Sequence, residues 1–363
     1  MTPAQPTPAA PVSRPSVTLV ILNWNGRDDT LACLDSVAKL RYPEHRDIVV
    51  DNGSVDDSVP AIRHRHPDVE LIETGRNLGF AGGNNVGIRR ALESGADYVL
   101  LLNNDTEVDP GLLDAFVAAA RQRPDAGVFS AKIYFHAEPR RIWYAGAAWN
   151  AAAARFDQLG EGVVDDGGAA YSTLAETAYA CGCAFFVSAA RLREVGLLDE
   201  DFFLYFEETD WCARAQAAGH PSIVVPDAQL WHKVSVSFGG EGSPLALYFL
   251  TRNRLLWARK HGSPQQRQAV RRATLRSLWQ RLGPPLAGRH MTPPRTLKSW
   301  WWSVREAFTD PHNRAFVLGV RDFWRSRFGD CPPVVRELAI QARARAQATA
   351  RHASSPAASR TAR

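Results

Sequence analysis

A short apolar run, Tyr98-Val-Leu-Leu-Leu102, is followed at once by three oxygen-bearing side chains, Asn103, Asn104 and Asp105. An apolar run of this length that stops at polar residues is typical of a buried strand in a parallel sheet. In open α/β sheets, ligands bind beyond the carboxyl ends of the strands. We therefore predict that this tip contacts a ligand. The alternative is a plain turn, because Asn and Asp favour turns and Asp109-Pro-Gly111 has turn chemistry of its own.

Two adjacent carboxylates, Glu207 and Glu208, follow the aromatic run Phe202-Phe-Leu-Tyr-Phe206. Neighbouring carboxylates do not ionise independently and apolar surroundings disfavour the charged form, so at least one pKa is expected to rise toward that of a useful base. The alternative is that both only complement the positive end of a helix dipole. Asp210 and Arg214 have the four-residue spacing of an intrahelical ion pair, which we favour over a role in substrate binding.

The elements that must position these groups form a repeating pattern. Apolar runs at 17–23, 48–51, 69–73 and 98–102 each end in polar or glycine-rich residues, and helical patterns follow the first three. Strands that alternate with helices predict a parallel sheet with right-handed crossovers. The strand ends should then line one rim. The predicted fold class is α/β, with a Rossmann-like, mostly parallel sheet and flanking helices.

The glycine-rich segment 79–83 is predicted to be a loop in which the backbone approaches a ligand or a neighbouring strand closely. It lacks the G-x-G-x-x-G spacing and the acidic residue of a dinucleotide fold, which argues against a nicotinamide enzyme. A purely structural role for the glycines is the alternative. Further along, residues 126–130 suit a fifth strand, and 142–149 with 171–177 suit antiparallel edge strands.

The charge is distributed unevenly along the 363 residues. Residues 252–363 hold 23 Lys or Arg against 5 Asp or Glu, whereas residues 1–251 hold 20 against 33. Such a split predicts an acidic body with a basic extension for an anionic surface. Basic helical patterns with Leu and Trp, including Trp300-Trp-Trp302, suit the headgroup zone of an anionic membrane, and packing of the same face onto the body is the alternative.

The five cysteines have no zinc-site spacing and are interpreted as reduced thiols of a cytoplasmic protein. No apolar run approaches the roughly 18–20 residues of a membrane span. The first fifteen residues carry five prolines and are predicted to be a flexible leader rather than a targeting peptide.

Motifs in the expected order are similar to those of family 2 glycosyltransferases with the GT-A fold. They lie at 17–26, 50–56, 77–85 and 101–107, and residues 202–214 resemble the family's Tyr-x-Glu-Asp-x-Asp-Leu-x-x-Arg box. The similarity is greatest to rhamnosyltransferases and galactofuranosyltransferases that build bacterial surface polysaccharides. It covers roughly residues 16–260 and implies a GT-A domain there. Composition and charge predict a leader at 1–15, a basic helical extension at 261–340 and a disordered tail at 341–363.

The resemblance implies an inverting, metal-dependent transfer of a sugar, with rhamnose as a candidate, from a nucleotide-sugar donor to a glycan or lipid-linked acceptor. Asp105 takes the place of the last carboxylate of the family's D-x-D motif and would bind Mg²⁺ or Mn²⁺, the first two positions here being Asn. His232 would complete the metal shell, unless it is only a packed residue. Glu208 would be the catalytic base and Glu207 its neighbour. The implied donor-binding residues are Asn23, Asp51, Asn77, Gly79, Gly82, Gly83, Asn84, Asn103, Asn104 and Arg252.

The predicted location is peripheral, at the cytoplasmic face of the cell membrane, with no nucleic-acid partner and no particular oligomeric state. Two rival functions stay open. A nucleotidyltransferase that makes a sugar nucleotide would release pyrophosphate. A nucleic-acid-binding protein would use the basic extension, but it would leave the acidic front half and the rim motifs without a purpose.

Overall fold

The computed structural model describes residues 14–234, 242–282, 305 and 308–353. Most of the predicted leader, the tryptophans at 300–302 and the last ten residues lie outside this range. The strands are β1 (Val17–Asn23), β2 (His45–Asp51), β3 (Glu70–Glu73), β4 (Tyr98–Asn103), β5 (Thr106–Val108), β6 (Val128–Phe135), β7 (Glu138–Tyr144), β8 (Ala147–Asn150), β9 (Arg155–Gln158), β10 (Ala175–Thr177), β11 (Ala184–Ser188) and β12 (Ser222–His232). The helices are α1 (Arg27–Val37), α2 (Ser58–Arg65), α3 (Gly79–Glu93), α4 (Leu112–Gln122), α5 (Ala189–Val195), α6 (Glu207–Ala217), α7 (Pro244–His261), α8 (Pro264–Leu282), α9 (Pro311–Trp324) and α10 (Pro333–Ala353).

The central sheet runs in the order β10-β12-β6-β11-β4-β1-β2-β3. In addition, β5 pairs with β12, and β7 pairs with β6. Strands β3, β2, β1 and β4 are parallel neighbours, and β6 and β12 are parallel to each other. Strand β11 lies antiparallel between β4 and β6. The prediction of a mostly parallel α/β sheet with flanking helices is confirmed.

Alternate residues of the strands face two separate apolar layers. In β1, Leu19 and Ile21 pack in a cluster with Phe116 of α4, whereas Val20 packs in a second cluster with Ile88 of α3 and Trp211 of α6. The helices therefore cover both faces of the sheet. This arrangement leaves the strand ends as the open edges.

The glycine-rich segment is not a loop, as the sequence predicted, but forms the first turns of α3. The reason is close packing onto the sheet. A Cβ atom on Gly83 would lie 2.4 Å from a methyl carbon of Leu22, and one on Gly87 would lie 2.3 Å from a methyl carbon of Val20. Helix α3 can approach β1 only where it has no side chains.

The C-terminal helices pack against α7, which is buried along most of its length. Helix α8 differs, since within it only Val270 and Thr274 are buried. Helix α10 continues past residue 341, where the sequence predicted a disordered tail, to Ala353. Within the described part of the chain, no helix combines the length and apolarity needed to cross a membrane.

Candidate functional site

The parallel strands bring four predicted residues to one edge of the sheet, which we call the rim. Asn23 ends β1, Asp51 ends β2, Asn103 ends β4 and His232 ends β12. Because β11 is antiparallel, its amino end meets the same rim, and the Asn103 N–H donates to the carbonyl of Cys183 (3.1 Å).

Asn23 is the centre of a hydrogen-bond network that joins the tips of β1, β2 and β4. Its amide nitrogen donates to Asp51 Oδ1 (2.7 Å) and to the Ser54 hydroxyl (3.1 Å), and its amide oxygen accepts from the Thr30 hydroxyl (2.9 Å). Asn104 donates to the same Thr30 hydroxyl (2.9 Å). Both Asn23 and Asp51 are buried, so the network fixes the shape of the rim from beneath.

A second network ties β2 to the start of α3. Asn52 donates to the carbonyl of Gly79 (3.0 Å) and accepts from the Leu78 N–H (2.9 Å), while Asn77 accepts from the Gly79 N–H (2.8 Å). Gly79 has a φ of +75°, and a Cβ there would lie 2.4 Å from the carbonyl oxygen of Phe203. Glycine is therefore required where α3 meets the 202–206 loop.

The remaining predicted donor-binding residues of α3, Gly82, Gly83 and Asn84, are buried. The Asn84 amide donates to the carbonyl of Phe80 within its own helix (3.0 Å). These three residues lie beneath the rim, whereas Asn103 and Asn104 are partly exposed on it.

Asp105 and His232 meet at the rim, with Asp105 Oδ1 and His232 Nε2 3.1 Å apart. Strand β12 delivers the histidine beside β5, and the Lys233 N–H donates to the Asp105 carbonyl (2.9 Å). The edge of Trp143 packs against the imidazole at 4.6 Å between ring centroids. The second ring nitrogen, Nδ1, is buried and has no hydrogen-bond partner among the described residues.

These two side chains fit a divalent cation. A histidine that served only packing would be expected to have both ring nitrogens satisfied when buried, and His232 does not. Within the described residues, no group of three or more His, Cys, Asp or Glu is placed to enclose a metal. A site with two protein ligands matches the way Mg²⁺ is held in phosphate-transfer enzymes, where substrate phosphates and water supply the other ligands.

Glu207 and Glu208 begin α6, directly after a strained loop. Phe203, Tyr205 and Phe206 have φ values of 64°, 66° and 78° in the left-handed region, which costs roughly 1–3 kcal/mol for each non-glycine residue. Such conformations persist only where the surroundings impose them. The loop therefore requires support from outside itself.

The support comes from α7, through Asn253 and Arg252. The Asn253 amide nitrogen lies 2.8 Å from the carbonyl oxygens of Phe202, Leu204 and Tyr205, so its two N–H groups are shared among three acceptors. The Arg252 guanidinium donates to the carbonyls of Phe202 (3.0 Å) and Gly329 (2.7 Å).

The sequence resemblance assigned Arg252 to the donor. In the structure, Arg252 is 0% exposed and its guanidinium binds backbone carbonyls and the amide of Asn253. The structure thus places it under the 202–206 loop and away from the rim residues. Its role there is to hold the segment that carries the glutamates.

The two glutamates have different environments. Glu207 is 2% exposed, and its Oε2 has no partner within the described chain. Burial and the charge of Glu208 raise the pKa of Glu207 well above its ordinary value. Glu208 is partly exposed, but desolvation of its carboxyl group raises its pKa to about 7, against an opposing effect of the backbone N–H groups of Glu208 and Thr209.

Glu208 lies close to the β4 tip. A Cβ on Gly182 would lie 3.8 Å from the carboxyl carbon of Glu208 and 3.3 Å from the ring of Phe80. The next residue, Cys183, is bonded to Asn103. The base candidate is therefore linked through Gly182 and Cys183 to the strand tip that carries the metal-site candidate Asp105.

Asp210 is an internal ion-pair centre. It is 0% exposed and pairs with Arg214 (2.9 Å), Lys260 (2.6 Å) and His261 (2.7 Å). The predicted intrahelical pair with Arg214 is confirmed, and the other two partners come from α7. These contacts lock α6 onto α7 at the base of the site.

Sequence reasoning missed Asn52, Gly182 and Asn253. Asn52 follows the predicted Asp51, and its place in the Asp-Asn-Gly turn was the available signal. Gly182 lies between Cys181 and Cys183, whose spacing was weighed only against that of a zinc site. Asn253 had no local signal, because its three partners are about fifty residues away along the chain.

Comparison with known proteins agrees with this arrangement. Residues 18–176 match the family model described as glycosyl transferase family 2. This match, together with the relatives below, supports assignment of the chain as a family 2 glycosyltransferase. The chain is 28% identical over 222 residues to the N-acetylglucosaminyl-diphospho-decaprenol L-rhamnosyltransferase of Mycobacterium tuberculosis, covering 53% of this chain and 67% of the relative.

A second relative of this glycosyltransferase is the dTDP-rhamnosyl transferase RfbF of Shigella flexneri, 25% identical over 263 residues and covering 69% of this chain and 82% of the relative. Among solved structures, the mannosyltransferase from Pyrobaculum calidifontis in complex with GDP-Man and Mn²⁺ is similar, with a TM-score of 0.52 and 17% identity. That alignment covers 88% of this chain and 90% of the other. The predicted resemblance to family 2 glycosyltransferases, and among them to rhamnosyltransferases, is confirmed. The predicted GT-A-like fold is also confirmed.

Proposed function

We propose that this glycosyltransferase is an inverting, metal-dependent enzyme that transfers a sugar from a nucleotide-diphosphate donor to a glycan or lipid-linked acceptor in cell-surface polysaccharide synthesis. The observation that carries the proposal is the placement of two unlike groups near the same strand ends. Asp105 and His232 lie 3.1 Å apart there and would hold a cation. Glu208, with a pKa of about 7, lies one short segment away.

Glu208 is the better base of the two glutamates because it is partly exposed and its pKa is about 7. Glu207 is enclosed, so an acceptor hydroxyl cannot reach it as readily. In the proposed reaction, the acceptor hydroxyl oxygen forms a bond to the anomeric carbon as the bond from that carbon to the diphosphate breaks. Glu208 takes the hydroxyl proton, and the nucleoside diphosphate leaves.

Asp105 and His232 would hold Mg²⁺ or Mn²⁺, which would offset the charge gained by the departing diphosphate. Asn103 and Asn104 line the rim beside Asp105 and can donate hydrogen bonds to donor oxygens. Rhamnose is the proposed sugar, supported by the rhamnosyltransferases to which the chain is similar. The buried network of Asn23 and Asp51 keeps these groups in place before the donor binds.

The test compares Glu208→Gln with Glu207→Gln in one transfer assay that uses a rhamnosyl nucleotide donor. Loss of the proton acceptor should lower turnover of Glu208→Gln by roughly 10²–10⁴-fold with little change in donor affinity. Glu207→Gln should lower turnover less, because Glu207 acts only through its effect on Glu208. If both variants transfer sugar normally, the assignment of the base is wrong; if only Glu207→Gln is inactive, the roles are reversed.

We further propose that α8 rests on the anionic surface of a membrane. Leu275 and Trp279 are one turn apart and are 65% and 55% exposed. Arg271, Arg272 and Arg276 are exposed around them, and Val270 with Thr274 packs inward on the other side. An apolar pair ringed by arginines complements anionic lipid headgroups, and the inward face is already occupied by the protein.

A further inference from the structure

Arg254 on α7 is a cation for which the described residues supply no partner. Its Nε atom is buried with no hydrogen-bond partner, and its guanidinium makes no hydrogen bond or ion pair within the described residues. Arg252, about half a helical turn earlier, donates hydrogen bonds to several oxygens. Arg254 as a whole is only partly buried, but its Nε–H is enclosed, and a buried N–H group normally has an acceptor.

A neighbouring positive charge disfavours the charged form of Arg254. Arg155 of β9 is close enough to lower the pKa of Arg254, after the larger effect of burial. Arg155 itself is paired with Asp157 on its own strand (2.7 Å) and is mostly exposed. Two guanidinium groups thus lie near each other, and within the described part of the chain no carboxylate pairs with Arg254.

Trp257 is a second, independent donor without a partner. It lies three residues after Arg254, on a neighbouring part of the same helix face. It is only 5% exposed, and its indole Nε1 is buried with no hydrogen-bond partner in the described part of the chain. A buried indole N–H usually has an acceptor.

Aromatic rings connect this pair to the catalytic glutamates. Trp257 packs edge-on against Phe156 at 4.9 Å and against Trp149 at 5.8 Å between centroids. Phe156 in turn packs against Tyr179 at 5.7 Å. Burial, followed by the charges of Cys181 and then Glu208, raises the pKa of Tyr179, so this tyrosine lies near the proposed base.

We propose that Arg254 and Trp257, with Arg155, bind a phosphate group carried by the sugar acceptor. This inference rests on the proposed function, because it assigns the ligand of the acceptor side. The unsatisfied groups are all hydrogen-bond donors, so the ligand must present acceptor oxygens, and guanidinium groups match phosphate geometry. The aromatic rings offer a surface for the saccharide or lipid that the phosphate joins.

The same phosphate chemistry could come from the donor, and metal dependence separates the two sources. Binding of inorganic pyrophosphate to the full chain is measured by calorimetry in EDTA, which removes metal-dependent binding at Asp105 and His232. Wild type should bind, and Arg254→Gln should weaken binding by about tenfold or more, the value of one charge-assisted contact. Asp105→Asn should bind as wild type does, and the exposed Arg272→Gln is the matched control.

Unfolding midpoints separate a binding role from a structural one. Removal of an unpaired buried charge should leave the midpoint of Arg254→Gln unchanged or raise it. The proposal is overturned if wild type does not bind pyrophosphate without metal, if Arg254→Gln binds as well as wild type, if Asp105→Asn loses the binding, or if Arg254→Gln lowers the midpoint. None of these readouts requires sugar transfer, so the assignment can fail while the proposed reaction stands.

Discussion

The rim and the α6–α7 side of the site differ in whether their buried polar atoms are hydrogen-bonded. At the rim, Asn23 and Asp51 are buried and their polar side-chain atoms are hydrogen-bonded. On the α6–α7 side, Glu207 Oε2, Arg254 Nε and Trp257 Nε1 are buried and have no hydrogen-bond partner among the described residues. Since unsatisfied buried groups are rare in folded proteins, the second side is the one whose partners are supplied by a ligand.

The comparison teaches how the two substrates would be handled. A rim whose hydrogen bonds are complete is rigid before the donor arrives, which lowers the entropic cost of positioning it. The α6–α7 side keeps polar groups at a cost in stability, as functional sites commonly do. His232 is the exception at the rim, and its unpartnered nitrogen lies at the proposed metal site.

The largest effect is expected from Asp105→Asn. Loss of the only carboxylate at the rim tip should reduce metal-dependent donor affinity by at least about 100-fold, because even outer-shell partners of metals are worth 10–100-fold. Calorimetric titration of donor with and without Mn²⁺ measures this. Asp114→Asn, on the exposed side of α4, is the control. Unchanged metal-dependent affinity in Asp105→Asn would refute the metal assignment.

Asn253→Ala should separate loop support from rim support. The Phe202 carbonyl keeps Arg252 as a donor, but the carbonyls of Leu204 and Tyr205 lose the amide, so the free energy of unfolding should fall by about 2 kcal/mol. Turnover should fall because the glutamates move, while donor affinity is kept. Chemical denaturation and donor titration measure the two effects, with Asn313→Ala, which loses a contact to Arg281, as the control. Weakened donor binding with normal turnover would contradict this division.

The pH dependence tests the environment of Glu208. Its pKa of about 7 predicts that turnover falls about tenfold per pH unit below that value, as the base becomes protonated. The raised pKa also means that the folded state holds this proton more tightly than the unfolded state. Its stability contribution is therefore lost as pH rises through 7. Glu208→Gln should abolish both dependences; a rate limb that persists in this variant belongs to another group.

The smallest effect is expected at α8. Replacement of Leu275 and Trp279 together by Ser should weaken binding to anionic vesicles by about fivefold, or ~1 kcal/mol, with catalysis in detergent unchanged. Co-sedimentation with vesicles measures it. Ile340→Ser, at another exposed apolar residue, is the control. Equal loss in both variants would point to general surface hydrophobicity instead of this face.

The sequence alone determined the β-α units, the family and the polar strand ends. These depend on local periodicity and on residues that are close along the chain, such as the apolar run before Asn103 and the paired glutamates after Phe206. The glycine segment was predicted as a loop because its helical conformation depends on contact with Val20 and Leu22.

Tertiary structure alone decided which polar groups were satisfied. Asn253 donates to carbonyls of a loop some fifty residues away, and Arg252 donates to backbone carbonyls. The Nε–H of Arg254, two residues later, has no acceptor among the described residues. All three stand in one Arg-Asn-Arg sequence, and no local rule distinguishes them. Their roles differ because successive residues of a helix point about 100° apart, and each side chain meets whatever the rest of the fold has placed on that side.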